Sequence, residues 1–151
     1  MNILTKIATH AKKNPLQKAL IVPKRRGFFK KKEKSITFSQ LIEETKNLSE
    51  QLKLAGLEEK DRVLLFVRPS LYFPVIVLSL LKLKVIPIFI DPGMKKKFLF
   101  KAIKEASPKG LIAEAEIHWL ALFFPKVFAT CKIRMTTSSF SFSKNVLKLP
   151  T

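Results

Sequence analysis

The stretch GLEEKDRVLLFVRPSLYFPVIVLSLLKLKVIPIFIDPG, residues 56–93, carries the strongest indication of fold in this chain. Two runs rich in Val, Leu, Ile and Phe, Arg62–Val67 and Val85–Ile90, flank the longer apolar segment Leu71–Leu83. Near-continuous apolar strands are typical of parallel sheets that are covered on both faces, and parallel neighbours need a crossover connection, usually a helix. The stretch therefore predicts a β-α-β unit.

The same stretch also raises the question of a membrane span, because Leu71–Ile90 has the length of about 20 residues that a bilayer helix requires. Lys82 and Lys84 lie inside it, and charges at that depth cost about 2.5–3.5 kcal/mol each. Pro74 and Pro87 interrupt it as well. A buried helix followed by a strand explains these residues without that cost, so we predict no transmembrane span.

Upstream of this unit the sequence predicts a short amphipathic helix and two short strands separated by a basic loop. These segments are the helix Asn2–Lys13, the strand Ala19–Val22, the loop Pro23–Lys34 and the strand Ser35–Phe38. A long helix follows. Thr37-x-x-Gln40 has the capping-box pattern that opens a helix, and Gly56 supplies the left-handed position after its end. The inward stripe of this helix is predicted to be Leu41, Thr45, Leu48, Leu52 and Ala55.

Downstream, helical and strand patterns continue to alternate. We predict a helix over Lys95–Ala106, a strand over Lys109–Ala113, a helix over Glu114–Phe124 and one more strand within Val127–Met135. The inward face of the first of these helices is predicted to be Phe98, Leu99, Ala102, Ile103 and Ala106. Strands that alternate with helices indicate an α/β fold, here a partial parallel sheet with flanking helices. We assign residues 1–125 to this unit and residues 126–151 to a poorly defined tail.

Composition favours a folded chain of one domain, since 47% of the 151 residues are hydrophobic and 13 are Phe. The formal net charge of +18 would attract nucleic acid or anionic lipid whatever the function, and it also fits part of a larger protein with an acidic remainder. Cys131 is the single cysteine, which excludes an internal disulfide and a cysteine metal cluster and favours a cytoplasmic location. The N-terminus lacks a secretory pattern, although its basic, acid-poor run weakly resembles a mitochondrial presequence.

Few residues suggest a catalytic or metal site. His10 and His118 lie on separate predicted helices without further ligands at a metal spacing, so both are interpreted as partly exposed helical histidines. Glu114 and Glu116 fall in the first turn of a predicted helix, where the helix dipole favours carboxylates. The four glycines are widely separated and form no phosphate-binding pattern, and none follows Gly110.

Two basic clusters leave a binding function open. PKRRGFFKKKEK (Pro23–Lys34) interleaves cations with Phe28 and Phe29, a combination that can hold single-stranded nucleic acid by charge and stacking. MKKKF (Met94–Phe98) places cations at a helix start, where they oppose the helix dipole. No nucleic-acid-binding module pattern accompanies either cluster.

Several short motifs follow one another in a known order. Thr37-Phe-x-Gln-Leu opens the long helix, Ala55-Gly-Leu ends it, Lys60-Asp-Arg-Val begins the first buried strand and Pro87…Ile90-Asp-Pro ends the second. Over roughly Ile3–Pro125 this order resembles the N-terminal part of the acyl-adenylating, AMP-forming synthetase superfamily. That superfamily includes acyl-CoA synthetases, luciferases and the adenylation domains of peptide synthetases.

Within the superfamily, Pro69–Met94 and His118–Pro125 look most like the olefin-pathway branch of fatty-acyl-CoA-ligase-like enzymes and β-lactone synthetases. The chain departs from the family pattern at Phe38, Gln40, Lys60, which replaces a glycine, and Lys84, which replaces a small residue. By resemblance, the fold is the first part of the large N-terminal domain of an AMP-binding synthetase.

The resemblance implies ATP-dependent chemistry, in which a carboxylate attacks the α-phosphate to give an acyl-adenylate and pyrophosphate, with ATP and Mg as cofactors of the complete enzyme. The family's functional motifs are a loop ending Thr-Gly-x-Pro-Lys, an aromatic-Gly-x-Thr-Glu motif, a ribose-binding Asp and a C-terminal catalytic Lys, and none has a matching position here. We therefore assign no catalytic, cofactor-binding or metal residue to this chain. Asp61 and Arg62 match a family motif and are interpreted as structural.

The leading hypothesis is thus a truncated N-terminal fragment of an acyl or fatty-acid synthetase that binds no cofactor alone and that a C-terminal polypeptide completes. Whether the chain is itself an enzyme stays open. The alternative is a repurposed basic module that binds anionic lipid or nucleic acid without catalysis. A third hypothesis is membrane association through Leu71–Ile90.

Overall fold

The computed structural model describes residues 2–22, 34–91, 93–137 and 146–148. Its helices are α1 (Ile3–Lys13), α2 (Phe38–Leu54), α3 (Tyr72–Lys82), α4 (Lys96–Ala106) and α5 (Ala115–Phe123). Its strands are β1 (Lys18–Val22), β2 (Lys34–Thr37), β3 (Arg62–Phe66), β4 (Ile86–Phe89), β5 (Gly110–Ala113), β6 (Ile133–Thr136) and β7 (Val146–Lys148).

Five of the strands form one parallel sheet in the order β4-β3-β5-β6-β7, while β1 and β2 pair as a separate antiparallel ribbon. The sheet begins at β3, places β4 on one side of it and then crosses to place β5 on the other side. This reversal is the topological switch point of a doubly wound α/β sheet. The predicted α/β class with a parallel sheet and flanking helices is confirmed.

Two apolar layers cover the two faces of this sheet. Val63 and Leu65 of β3 point into the layer that α2 and α3 complete, whereas Leu64 and Phe66 point into the layer of α4 and α5. Successive side chains of a strand point to opposite faces, so a strand covered twice must be apolar at every position. This requirement explains the uninterrupted apolar run that predicted the strand.

Helix α2 begins and ends as its sequence predicts. Thr37 Oγ1 accepts a hydrogen bond from the Gln40 N–H, and Gln40 Oε1 accepts one from the Thr37 N–H, at 3.2 and 2.9 Å. After the helix, Gly56 has φ +96°, a conformation that favours glycine. Leu57 then folds back and donates its N–H to the Leu52 carbonyl at 3.1 Å, which closes the helix end over the core.

The helix and strand predicted for Leu71–Ile90 are present as α3 and β4. The helix starts at Tyr72, after a bend at Pro69–Leu71, and it buries Val75, Ile76, Leu78, Ser79 and Leu80. In the ranges that the structure describes, none of the helices is both long and apolar enough for a membrane crossing.

Some of the predicted details differ from the structure. Phe98, predicted to face inward, is 56% exposed, because α4 contacts the core mainly through Leu99 and Ile103. Phe38 starts α2 and does not end β2. The strand predicted within Val127–Met135 begins only at Ile133, and the preceding segment is a turn that buries Phe128. The basic loop lies outside the described residues except for Lys34, as do residues 138–145 and 149–151 of the predicted tail.

Candidate functional site

A cavity of about 420 Å³ opens at the carboxyl ends of β3, β4 and β5, beside the switch point. In doubly wound sheets this is the crevice where ligands bind. Its walls are mostly apolar, and a few charged residues stand at its rim. The lining residues are Leu65, Phe66, Val67, Arg68, Pro69, Phe73, Phe89, Ile90, Glu114, Glu116 and Ile117.

The rim is fixed by a contact between the loop after β3 and the residue after β5. Arg68 donates its backbone N–H to Glu114 Oε1 at 3.0 Å, and its side-chain Nε lies 3.0 Å from Glu114 Oε2. A second, longer contact of 3.6 Å joins Arg68 Nη2 to Glu116 Oε1. The Glu114 carboxylate is mostly buried, while the Arg68 side chain is mostly exposed. Glu114 therefore ties the two strand ends together.

This arrangement suits the binding of an apolar group more than acid-base chemistry. The walls offer Phe73, Phe89 and Ile117, and the Glu114 carboxylate is already occupied by two contacts with Arg68. The exposed Arg68 guanidinium lies at the cavity mouth, where Glu114 and Glu116 contact it. The site thus combines an apolar volume with a charged rim of one cation and two carboxylates.

Sequence reasoning missed Arg68 and assigned Glu114 only to the helix dipole. Glu114 is the residue before α5, and its side chain makes no cap hydrogen bond to that helix. A signal was available, since Arg68 and Glu114 each follow a predicted buried strand closely. The carboxyl ends of parallel strands lie at the same edge of a sheet, so opposite charges there can meet.

Asp61 and Arg62 lie at the opposite, amino edge of the sheet, where their contacts are structural. Asp61 Oδ2 accepts the Glu58 N–H at 2.7 Å and lies 2.6 Å from Lys109 Nζ. Arg62 Nη1 donates a hydrogen bond to the backbone carbonyl of Ala106, the last residue of α4, at 3.0 Å. These bonds fix the loop before β3 and the end of α4.

The same contacts set the ionisation of the pair. Burial raises the pKa of Asp61, but the hydrogen bonds from Lys109 and from the Glu58 N–H outweigh it and leave that pKa below its usual value. The hydrogen bond to Asp61 in turn raises the pKa of Lys109. Each partner thus favours the charged form of the other.

The two histidines have different surroundings. His10 is half-buried, bonds Gln17 Oε1 through Nε2 at 2.8 Å and contacts the Phe38 ring, as expected for a partly exposed helical residue. The prediction of partial exposure is wrong for His118, which lies on α5 and is buried against β6. Its Nε2 donates to the Met135 carbonyl at 2.9 Å, and burial lowers the pKa of His118.

The three glycines of the described residues have local structural roles. Gly110 faces Val63, Gly56 ends α2, and Gly93 donates its N–H to the Asp91 side chain in a turn. They lie far apart in the sequence and do not form a glycine-rich loop of the kind that cradles phosphate. Across the described ranges, three or more His, Cys, Asp or Glu side chains do not converge on one point.

Cys131 and the lysine cluster at the start of α4 are the remaining residues considered for reactivity or ligand binding. Burial raises the pKa of Cys131 to about 11, so its thiol stays protonated and unreactive near neutral pH. Lys95 precedes α4 without a side-chain cap bond, and Lys96 and Lys97 are exposed in its first turn, as the MKKKF motif predicts.

Comparison with known proteins places this fold in a family. The family model for AMP-binding enzymes matches residues 7–145. An olefin beta-lactone synthetase of Stenotrophomonas maltophilia is 28% identical over 120 residues, which cover 78% of this chain and 22% of that protein. The olefin beta-lactone synthetase of Xanthomonas campestris pv. campestris is 27% identical over 113 residues, which cover 74% of this chain and 20% of that protein.

Solved structures of similar fold are larger enzymes. Acetoacetyl-CoA synthetase from Streptomyces lividans superposes with a TM-score of 0.82 at 12% identity, covering 98% of this chain and 24% of that one. Coronafacic acid ligase from Pectobacterium brasiliense gives a TM-score of 0.78 at 13% identity, with coverage of 98% and 28%. The chain spans about a fifth of the length of the curated synthetases that it matches. The match over residues 7–145 shows that the chain belongs to the AMP-binding enzyme family, and it corresponds to the N-terminal part of such synthetases.

Proposed function

We propose that this chain forms the first part of the large domain of an ATP-dependent, AMP-forming acyl synthetase and is not competent alone. The proposal rests on the family match over residues 7–145, which corresponds to only about a fifth of the length of the relatives. In the proposed reaction a carboxylate oxygen attacks the α-phosphate of ATP, the bond between the α- and β-phosphates breaks, and an acyl-adenylate and pyrophosphate are formed, with Mg as the metal cofactor. The resemblance to the olefin-pathway branch of fatty-acyl-CoA-ligase-like enzymes favours a fatty acid as the carboxylate, and two relatives are named olefin beta-lactone synthetases.

The residues that hold ATP and Mg would come from a further polypeptide segment. The proposal is supported by the described glycines, each of which is engaged in packing, a helix end or a turn. A C-terminal partner segment that carries the Thr-Gly-x-Pro-Lys loop would complete the site. The lone, buried Cys131 is compatible with the cytoplasm, which remains our proposed location.

ATP–pyrophosphate exchange with a panel of fatty acids tests this proposal. We expect no exchange from the 151-residue chain alone and measurable exchange when the segment encoded directly downstream is supplied with it. Exchange by the chain alone would overturn the need for a completing segment. Absence of exchange with both parts present and every acid tested would overturn the proposed reaction.

We further propose that the cavity beside Arg68 faces the completed active site, because ligands of doubly wound sheets bind at this edge. In the completed enzyme, Ile117→Trp should fill part of the cavity and lower exchange by about tenfold, which corresponds to a loss of about 1.4 kcal/mol. Leu54→Trp, on the exposed side of α2, is the matched control and should leave exchange unchanged. Equal exchange by the two variants would place the site elsewhere.

The comparisons give no support to the alternative of a non-catalytic binding module, since the matches are to synthetases and ligases. Non-specific attraction of anions remains a proposal that rests on the net charge of +18.

A further inference from the structure

Helix α5 exposes an apolar stripe on the side that faces away from the sheet. His118 and Ala121 are buried on its inner side, whereas Trp119, Leu122 and Phe123 are 46%, 53% and 74% exposed. These three residues, the α5 outer stripe, recur at spacings of three and four and therefore share one face of the helix. A helix that is apolar on both its inner and its outer side is normally covered on both.

Exposed lysines lie on the neighbouring helix α4. Helix α4 lies beside α5 on the same face of the sheet, and the rings of Phe100 and Phe124 join the two at a centroid distance of 4.8 Å. Lys97, Lys101 and Lys104 are exposed along one side of α4, at spacings of four and three. Lys101 also contacts Glu105 at 3.8 Å, an exposed pair of the kind that stabilises little.

We propose that the α5 outer stripe and the α4 lysines dock the chain on an anionic lipid surface. In this arrangement, the apolar side chains enter the boundary between headgroups and acyl chains, and the lysines contact the anionic headgroups. The proposal does not depend on the proposed synthetase activity, so a failure of pyrophosphate exchange leaves it standing.

Charge and side-chain type favour lipid over nucleic acid and over another protein surface, including the completing segment proposed above. Lysine is depleted in protein–protein interfaces, but long cationic side chains beside an apolar stripe suit a bilayer surface, where their stems lie along apolar groups and their charges stay in water. Stacking on single-stranded nucleic acid uses aromatic faces and tracks a basic groove, whereas this stripe lies on the outer side of a helix and includes the aliphatic Leu122. The net charge of +18 also draws the whole chain to an anionic bilayer.

The chain carries its own probe, because Trp119 is its single tryptophan. The whole chain is mixed with vesicles of phosphatidylcholine alone or of phosphatidylcholine with phosphatidylserine, and vesicle-bound protein is separated by flotation, which leaves aggregates behind. We expect flotation with the anionic vesicles, weaker at high salt, and a shift of Trp119 emission to shorter wavelength. Lipids brominated on the acyl chains should quench that emission.

Variants distinguish the contribution of the α5 outer stripe to vesicle binding from that of the overall charge. Leu122→Ser with Phe123→Ser should lower binding to anionic vesicles by about tenfold or more, because two large apolar side chains no longer leave water. Leu54→Ser is the matched control, because it replaces an apolar side chain that is 88% exposed on α2 with a polar one. It should change binding less than twofold, roughly the scatter of such measurements. Lys97→Gln with Lys104→Gln should lower binding about tenfold without touching the core, which keeps the proposal testable if the stripe variant fails to fold.

Several outcomes would overturn the proposal. Flotation without any change in Trp119 emission would mean that charge alone holds the chain. Equal binding by the stripe variant and Leu54→Ser would exclude the stripe. Failure to float combined with stripe-dependent binding to single-stranded RNA, or with stripe-dependent self-association in light scattering, would assign the surface to nucleic acid or to a second copy.

Discussion

Arg68 and Glu114 are joined by two contacts of 3.0 Å, one from the Arg68 backbone N–H and one from its guanidinium Nε. The two residues lie 46 positions apart in the chain and follow β3 and β5, the neighbouring strands at the switch point. Since β5 is the strand that reverses the winding, this contact holds together the two halves of the sheet at its carboxyl edge.

We predict that Glu114→Ala destabilises the fold by about 1.5 kcal/mol, because the Arg68 N–H loses a charged acceptor and the guanidinium loses its partner. Urea denaturation measures the change. Glu116→Ala is the matched control; its 3.6 Å contact is exposed and should contribute less than about 0.5 kcal/mol. Equal losses in the two variants would contradict a specific role of Glu114.

His118 should make stability depend on pH. Its folded pKa is lowered, first by burial and also by nearby Arg134, so the unfolded chain binds a proton more readily than the folded chain. The stabilisation is therefore fully present above the unfolded pKa of about 6.5 and is lost as the pH falls through the folded pKa. We expect the free energy of unfolding to fall by at most about 1.4 kcal/mol per pH unit in that window.

Urea denaturation between neutral and mildly acidic pH, repeated with His118→Gln, tests this dependence. Glutamine can still donate to the Met135 carbonyl but does not titrate, so the slope should vanish. His10→Gln removes the other histidine and should retain the slope. The same slope in His118→Gln and in the original chain would show that another group is responsible.

Several helices and strands could be predicted from the sequence because the local patterns agree with the tertiary structure. The uninterrupted apolar run of β3 indicates a strand covered on both faces, and the Thr37–Gln40 box with Gly56 sets both ends of α2. Each of these features is encoded within a few neighbouring residues. The motif order, in turn, indicated the family that the comparisons show.

The missed features depend on how elements pack. Helix α5 is apolar on all sides, so no period could show that His118 faces the sheet and Phe123 faces outward. On α4 the core contact is a narrow stripe through Leu99 and Ile103, which leaves Phe98 to one side of it. The contact of Arg68 with Glu114 requires the knowledge that β5 adds to β3 and not to β4, and no local pattern states this order.

Gly110 should not tolerate a side chain. A Cβ there would lie 2.9 Å from Val63 Cγ2 and 3.4 Å from Leu57 Cδ2, both in the core, and the β-branched Val63 cannot rotate away easily. We predict that Gly110→Ala destabilises by about 1–3 kcal/mol in urea denaturation. Gly93→Ala is the control, because its nearest neighbour is the exposed Asp91 side chain, which can move. A Gly110→Ala variant as stable as Gly93→Ala would mean that β3 and β5 are not packed as described.

The interface of α2 and α3 offers a pair of substitutions with opposite expected signs. Within the described residues, the buried Thr45 Oγ1 forms no hydrogen bond, whereas Ser79 Oγ lies 2.7 and 3.1 Å from the Val75 and Thr45 carbonyl oxygens, which share its one hydroxyl proton. Thr45→Val replaces an unsatisfied hydroxyl with a methyl group of similar shape and should stabilise by about 1 kcal/mol. Ser79→Ala removes a satisfied hydroxyl from the same layer and should destabilise by about 1 kcal/mol. Helix propensity cannot produce the first effect, since Thr and Val rank together in helices, so a loss of stability in Thr45→Val would show that the hydroxyl has a partner.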